Sequence, residues 1–222
     1  MQVSLIRHTP DPERTVAAAA RLCYAPIDAL RILDELTPAQ VERLLRQVIE
    51  SGHHSVLEHA SFTFAISGIS RVTSHQLVRH RLASYSQQSQ RYVSYDHLEY
   101  ITPSAIAENL ALRDRYEAAM TAAHALYVAL QEVGITAEDA RYVLPNATAT
   151  NMVVSMNARE LRHFFTLRCC NRAQWEIRAL AHAMRRAVQA VAPVLFEHAG
   201  PACWRGPCPE GPLSCGNSPA RD

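Results

Sequence analysis

Glycine is the residue that most restricts this chain. Of seven glycines in 222 residues, Gly200, Gly206, Gly211 and Gly216 fall in the last 23. Only Gly52, Gly68 and Gly134 serve the rest, and no G-x-G-x-x-G occurs, so a Rossmann turn is excluded. A second exclusion follows from the basic residues: all 22 are arginine, and there is no lysine. Schiff-base, P-loop and kinase-type lysine chemistry is therefore ruled out. Phosphate or carboxylate has to be held by Arg, His, hydroxyls or backbone N–H groups.

Hydrophobic residues make up 48% and charged residues 19%, enough to pack a core and to argue against global disorder. No run of about 18 apolar residues suggests a membrane span. Met1 to Arg7 has no basic stretch before an apolar one, so no signal peptide is expected. Six cysteines in this length do not make a disulfide scaffold. The expected location is cytoplasmic, without membrane association.

Helical signals dominate. Asp11 to Tyr24 carries Val16, Ala17, Ala20 and Leu22 at helical spacing, with acids in the first turn. Thr37-Pro38-Ala39-Gln40 reads as a capping box with proline at the first helical position, and Gly52 ends that helix. Further helices are expected from Thr102-Pro103 through the Ala-rich 109–133, from Thr136 to before Pro145, after the Asn157 cap, and from Ala173 to Leu195. Ser61 to Ile66 alternates as a strand, with Met1 to Arg7, Tyr92 to Tyr100 and Ala147 to Met156 as weaker candidates. The expected fold class is α+β, a mostly helical single domain around a small antiparallel sheet. That domain covers residues 1–200. Residues 201–222 form a Gly/Pro/Cys-rich tail expected to lie outside the main core.

Chemistry concentrates in three places. From His59 to Tyr95 there is no acid, while Arg71, Arg79, Arg81 and Arg91 give a local charge of +4 in a chain of net +1. Ser70 can cap a helix from Arg71 to about Arg81, which would put Gln76, Arg79 and His80 on adjoining turns. The Ser/Gln-rich stretch from Ser84 to Arg91 suits a polar ligand with phosphates; a solvated basic helix and a surface loop would explain the same composition. The second place is Asn157 to Trp175, where Arg159 and His163 are i,i+4 neighbours. Arg168 there completes the apolar stripe of Leu161 and Phe164, so it either snorkels at the helix end or points into a pocket. The third is Gly52 to His59, whose histidines lack H-E-x-x-H spacing and read better as a polar loop rimming a pocket than as a metal site.

Together these segments resemble the flavin-dependent thymidylate synthases. That family's R-H-R, seven residues, then Ser stands here as Arg79-His80-Arg81, Leu82 to Gln88, and Ser89, followed by Arg91-Tyr92. Gly52-His53-x-Ser55-x-x-Glu58-His59 resembles its upstream loop. Asn157-Ala158-Arg159-Glu160-Leu161 through Arg168, and Ala173 to Arg178, resemble its last helices. Gln87 stands where many members carry glutamate, and Gln90 where glycine is frequent.

The resemblance implies methylation of dUMP to dTMP with FAD, methylenetetrahydrofolate and NADPH, in a homotetramer whose sites are shared between subunits. It implies FAD contacts from Ser55, Arg79, His80, Arg81, Gln87, Asn157, Ala158, Arg159 and His163. For dUMP it implies Gln76, Leu77, Val78, Arg79, Gln87, Gln88, Ser89, Gln90, Arg91, Arg141 and Arg168. His53 would lie on the folate or nicotinamide side of the flavin, and Arg168, Ser89 and His53 would be the catalytic residues.

Making C5 of uracil nucleophilic has two routes. One adds a thiolate at C6, for which Cys169 and Cys170 are placed by sequence but not by the family's motif. The other stabilises uracil deprotonated at N3, a role for Arg168, with Ser89 orienting the nucleotide rather than attacking it. Two other functions compete. Tyr85, Tyr92 and Tyr95 among arginines could stack the bases of a single strand, against a near-zero net charge and no nucleic-acid-binding motif. His53, His54 and His59 could serve a metal-dependent hydrolase. In the tail, Cys203, Cys208 and Cys215 with His198 could hold zinc, pair as a disulfide or do neither.

Overall fold

Alternation along Ser61 to Ile66 puts Phe62, Phe64 and Ile66 on one face, and all three are buried in the computed structural model, which describes residues 1–220. They belong to β2 (Ser61–Ser70), which with β1 (Gln2–His8), β3 (Ala83–Gln87) and β4 (Ala149–Asn157) makes one antiparallel sheet in the order β1-β2-β4-β3. In β4, Thr150, Met152, Val154 and Met156 are the buried set. On the other face Thr63 and Ser155 share a hydroxyl–hydroxyl bond of 2.8 Å, which fixes the β2–β4 register.

Helices make up most of the remainder: α1 (Pro12–Leu22), α2 (Ala29–Glu35), α3 (Pro38–Glu50), α4 (Arg71–Leu77), α5 (Ser104–Ala107), α6 (Leu110–Glu132), α7 (Ala137–Ala140), α8 (Ala158–Arg168), α9 (Trp175–Gln189) and α10 (Pro193–Phe196). The expected α+β class, mostly helical around a small antiparallel sheet, is the observed one. Local chemistry explains the starts. Thr37 and Gln40 complete the capping box of α3, while Ser70 and Asn157 accept the N–H groups of Thr73 and Glu160. Gly52, at φ 75°, lets the chain leave α3 in a left-handed conformation closed to most residues.

Four expectations need correction. α4 stops at Leu77 instead of Arg81, because the chain must turn to enter β3 beside β4. Ser84 to Arg91 is accordingly strand as far as Gln87. Tyr92 to Tyr100 supplies no strand, only a bridge from Tyr100 to Thr148. The long helix expected to Leu195 is broken into α9 and α10, since Pro193 lacks the N–H that would continue it and forces Ala192 out of helical geometry.

The chain forms two compact units. The first comprises residues 1–2, 66–79 and 86–152. Its buried cluster is Tyr95, Tyr127 and Ala140, with Leu98, Val128, Leu130, Val143 and Leu144 packed around it. The second comprises residues 3–65, 80–85 and 153 onward. Its core is aromatic: Phe196 meets Phe62 edge-on at 5.4 Å and Phe165 at 6.0 Å.

The C-terminal segment is irregular, as its glycines and prolines require, and mostly exposed over 205–220, but one side chain anchors it in the second unit. Trp204 is buried in the second unit, with the Arg185 guanidinium 4.8 Å from its ring centroid. Its indole N–H donates to the Pro219 carbonyl at 2.7 Å. No disulfide joins its cysteines. Among the described residues no three His, Cys, Asp or Glu side chains gather as a metal would need, so neither the zinc reading of the tail nor the His53/His54/His59 hydrolase has its ligands assembled.

Candidate active site

In the second unit, the residues of interest meet where the segment from His80 to Tyr85 lies against α8. Arg168, in the last turn of α8, donates its Nε–H to His80 Nε2 at 3.1 Å. The other ring nitrogen, Nδ1, lies 3.3 Å from Glu160 Oε1 in the first turn of the same helix. Phe164 packs edge-on against the imidazole at 4.9 Å, and the Tyr85 hydroxyl donates to the His80 carbonyl at 2.7 Å.

Electrostatics follow from this packing. Burial, then the charges of Arg168 and His163, lower the His80 pKa to about 4, so the imidazole is neutral at neutral pH. Burial also raises the Glu160 carboxyl above its usual range, opposed by His163. Tyr85 is pushed up by burial and by Glu160, which keeps its phenol a proton donor.

The exposed side of α8 carries Arg159 and His163 one turn apart. Arg159 donates to Glu58 Oε1 at 2.6 Å, and Asn157 begins the helix. Ser55 lies on the short 3₁₀ helix His54–His59; His53 just before it is exposed, and His54 Nε2 sits 3.3 Å from the Ile49 carbonyl. Arg81 is exposed and Ala158 is fully buried, so only the main chain of Ala158 can meet a ligand. An exposed guanidinium and an imidazole one turn apart on α8, with Glu58 against the guanidinium, suit an anionic ligand such as a pyrophosphate.

In the first unit, Gln87 donates both amide hydrogens, to Ser74 Oγ at 3.0 Å and Thr150 Oγ1 at 3.2 Å. Gln88 accepts from Asn151 Nδ2 at 2.9 Å, and Ser89 Oγ accepts the Arg91 N–H at 3.1 Å, tightening the turn after β3. Arg91 meets Glu138 at 2.8 Å, and Arg141 Nε donates to the Glu138 carbonyl at 2.9 Å. Glu138 thus draws both arginines to one place, though Arg91 and Arg141 are fifty residues apart in sequence. Gln76 folds back on α4, Leu77 is fully buried, and Val78, Arg79 and the backbone around them form the exposed end of that helix. A polar cavity of about 210 Å³ opens beside Gln88, lined also by Tyr95, Asp96, His97 and Thr150.

Sequence reasoning singled out the arginines but gave no role to the acids around them: Glu58 against Arg159, Glu138 against Arg91, and Glu160 against His80. Glu160 had one signal, being the only acid between Asn157 and Glu176.

An α+β scaffold that brings arginines and amides to nucleotide-sized polar sites without lysine or glycine loops defines a nucleotide-handling enzyme. The comparisons name its kind. Residues 4–194 match the family model of the thymidylate synthase complementing protein. The chain is 55% identical, over 98% of its length and 95% of the relative's, to the flavin-dependent thymidylate synthase of Geobacter sulfurreducens. It is 40% identical, over 96% and 91%, to that of Pyrococcus furiosus. A solved UMP/dUMP methylase from Streptomyces cacaoi, bound with 5-Br dUMP, superposes with TM-score 0.78 at 27% identity over 88% of this chain and 93% of that one. The chain belongs to the flavin-dependent thymidylate synthases, enzymes that methylate dUMP to dTMP with FAD.

Proposed function

We propose that Arg168 is the group that activates dUMP, by stabilising uracil deprotonated at N3 so that C5 becomes nucleophilic. The observation that carries this is the partner at its Nε: a neutral imidazole. That bond fixes the direction of the guanidinium plane at the end of α8, beside the R-H-R segment. A cation within about 4–6 Å favours such an anion by roughly 1–3 pKa units. Ser89, already bound to the Arg91 N–H, orients the nucleotide together with Gln87, Gln88, Gln90 and Arg91. Gln76, Leu77, Val78, Arg79 and Arg141 complete the dUMP set.

FAD is held by Ser55, Arg79, Arg81, Gln87, Asn157, Ala158, Arg159 and His163, with His80 contributing through its main chain because both its ring nitrogens already face protein partners. When bound, FAD supplies the redox chemistry, with NADPH as reductant and methylenetetrahydrofolate as carbon donor. His53, exposed before the short 3₁₀ helix His54–His59, faces the folate or nicotinamide. Residues 1–200 form the catalytic part, and 201–222 append to it.

The enzyme works as a homotetramer with sites shared between subunits. Support comes from apolar surface that a single chain leaves bare: Tyr142 is 84% exposed, Tyr92 78% and Val133 77%. Its ligands are cytoplasmic metabolites, and that is where we place it; among the described residues no helix is long and apolar enough to cross a membrane.

The test is dTMP formation by variants that keep their flavin spectrum. Arg168→Ala should lose at least tenfold, up to about a thousandfold, in kcat, the span of the N3 shift. Cys169→Ala combined with Cys170→Ala should retain most activity. A trapped cysteine–dUMP adduct, or an active Arg168→Ala enzyme, would overturn the reading.

A further inference from the structure

We propose that Glu160 and His80 form a relay that positions Arg168: Glu160 accepts the Nδ1 proton of His80, and this fixes Nε2 as the acceptor for the Arg168 Nε–H. The proposal rests on the reading above, that Arg168 acts at N3 of dUMP.

Donor and acceptor chemistry leaves a single arrangement. A guanidinium can only donate, so His80 Nε2, 3.1 Å from Arg168 Nε, must present its lone pair. A neutral imidazole then carries its proton on Nδ1, and the atom facing it at 3.3 Å is Glu160 Oε1, an acceptor when ionised. Arg168 favours that tautomer from the Nε2 side and Glu160 from the Nδ1 side; the Nε2–H form would turn a donor toward a donor and a lone pair toward the carboxylate. The logic is that of a carboxylate orienting a metal-bound or catalytic histidine, with an arginine at the far end.

The surroundings hold each member still. Phe164 packs edge-on against the His80 ring, and Tyr85 pins its carbonyl. Glu160 sits three residues after the Asn157 cap, where a capping box would send its side chain back to the start of the helix. Only half of that box forms. Asn157 accepts the Glu160 N–H at 2.9 Å, and the Glu160 carboxylate turns to His80 instead. The carboxylate is 6% exposed, a poor place for a group whose only task is to cap a helix.

The residues are therefore a charge-and-tautomer chain, Glu160 to His80 to Arg168, in which the outer two lie on one helix, eight residues apart, and the middle one comes from the R-H-R segment. Glu160 is a positioning residue: it acts on Arg168 only through His80.

The test measures the tautomer directly. Nitrogen-15 NMR of the flavin-loaded enzyme, labelled in its histidine rings and assigned with His80→Gln, should show His80 with a protonated Nδ1 and a bare Nε2. In Glu160→Ala the His80 signals should move toward the Nε2–H form, and kcat should fall about 100-fold, the scale of a misplaced catalytic group, with KM for dUMP changed less than about threefold. Glu160→Gln, whose amide oxygen still accepts from Nδ1, should restore the tautomer and most of kcat. A wild-type His80 that is Nε2–H or doubly protonated overturns the relay without any variant having to fold. A kcat within threefold of wild type in a folded Glu160→Ala also overturns it. An active Arg168→Ala enzyme whose His80 still carries its proton on Nδ1 would instead refute the N3 reading, so the two failures separate.

Discussion

His80 lies between a carboxylate and a guanidinium, so acid reaches the active site through its protonation. Its pKa is held at about 4 in the fold, against about 6.5 in an unfolded chain. Between those values the unfolded state binds more protons, and stability falls as pH drops through that window, by at most about 3 kcal/mol. The titratable and charged groups facing the ring are Glu160, His163 and Arg168 from α8, while Tyr85 from β3 holds the His80 carbonyl. Glu160 has the opposite sign: its pKa is raised, so its contribution is full below the ordinary carboxylate range and is lost as pH rises through the folded value. Urea unfolding at several pH values between 7 and 4.5 should show the wild type losing stability with acid and His80→Gln losing less. Parallel slopes would refute the assignment. At this scale the sequence was partly legible. Arg168 shows itself by completing the stripe of Leu161 and Phe164. Glu160 shows itself only as the lone acid between Asn157 and Glu176; its role stays hidden because its partner is eighty residues away and local spacing makes it look like an ordinary acid of a first helical turn.

The elements were most legible where their ends are local chemistry. Thr37, Ser70 and Asn157 are caps in the sequence and caps in the structure. Asn157→Ala should cost about 1 kcal/mol in denaturant unfolding, the usual loss when a cap side chain goes. It should also lower kcat, because the Glu160 backbone is then no longer tied at 2.9 Å; a kcat unchanged beside the expected stability loss would uncouple the cap from the relay. What could not be read is what other elements impose. Nothing between Arg71 and Arg81 stops a helix, neither proline nor glycine, and α4 ends because β3 has to pair with β4. Asp28 caps α2 through the Arg31 N–H, but a seven-residue helix has too few apolar positions to announce itself by period. The strand β3 was masked by its polar content: Ser84 and Ser86 alternate outward on a segment with no hydrophobic face to betray it.

At the scale of the whole chain, residues 201–220 are the part that composition describes only in part. Glycine and proline correctly exclude regular structure there, yet one tryptophan decides where the segment goes. The family match ends at residue 194, so this anchoring belongs to the chain beyond the shared model. Trp204 covers Arg185 of α9, and Gly200 makes room for it: a Cβ at Gly200 would stand 2.1 Å from the indole Cε3, closer than any side chain tolerates. Further out, Arg172 binds Glu210 at 2.7 Å and the Leu213 carbonyl at 2.9 Å, and Asn171 donates to the Asn217 carbonyl at 2.8 Å. These contacts fall on the turn that immediately follows Arg168. Trp204→Ala should therefore destabilise the enzyme by about 3–5 kcal/mol, as large buried aromatics do when truncated. In a chain of this length that lowers Tm by about 10 °C. Gly200→Ala should cost less, about 1–3 kcal/mol, because the ring can shift at the expense of its packing. Removing everything after Gly200 should lower Tm at least as far as Trp204→Ala does, and kcat should fall with it as the turn after Arg168 loosens. Thermal unfolding and dTMP formation of the truncated chain decide the matter: a Tm within two degrees of the full chain, with undiminished kcat, would show the segment to be an ornament rather than part of the second unit's core.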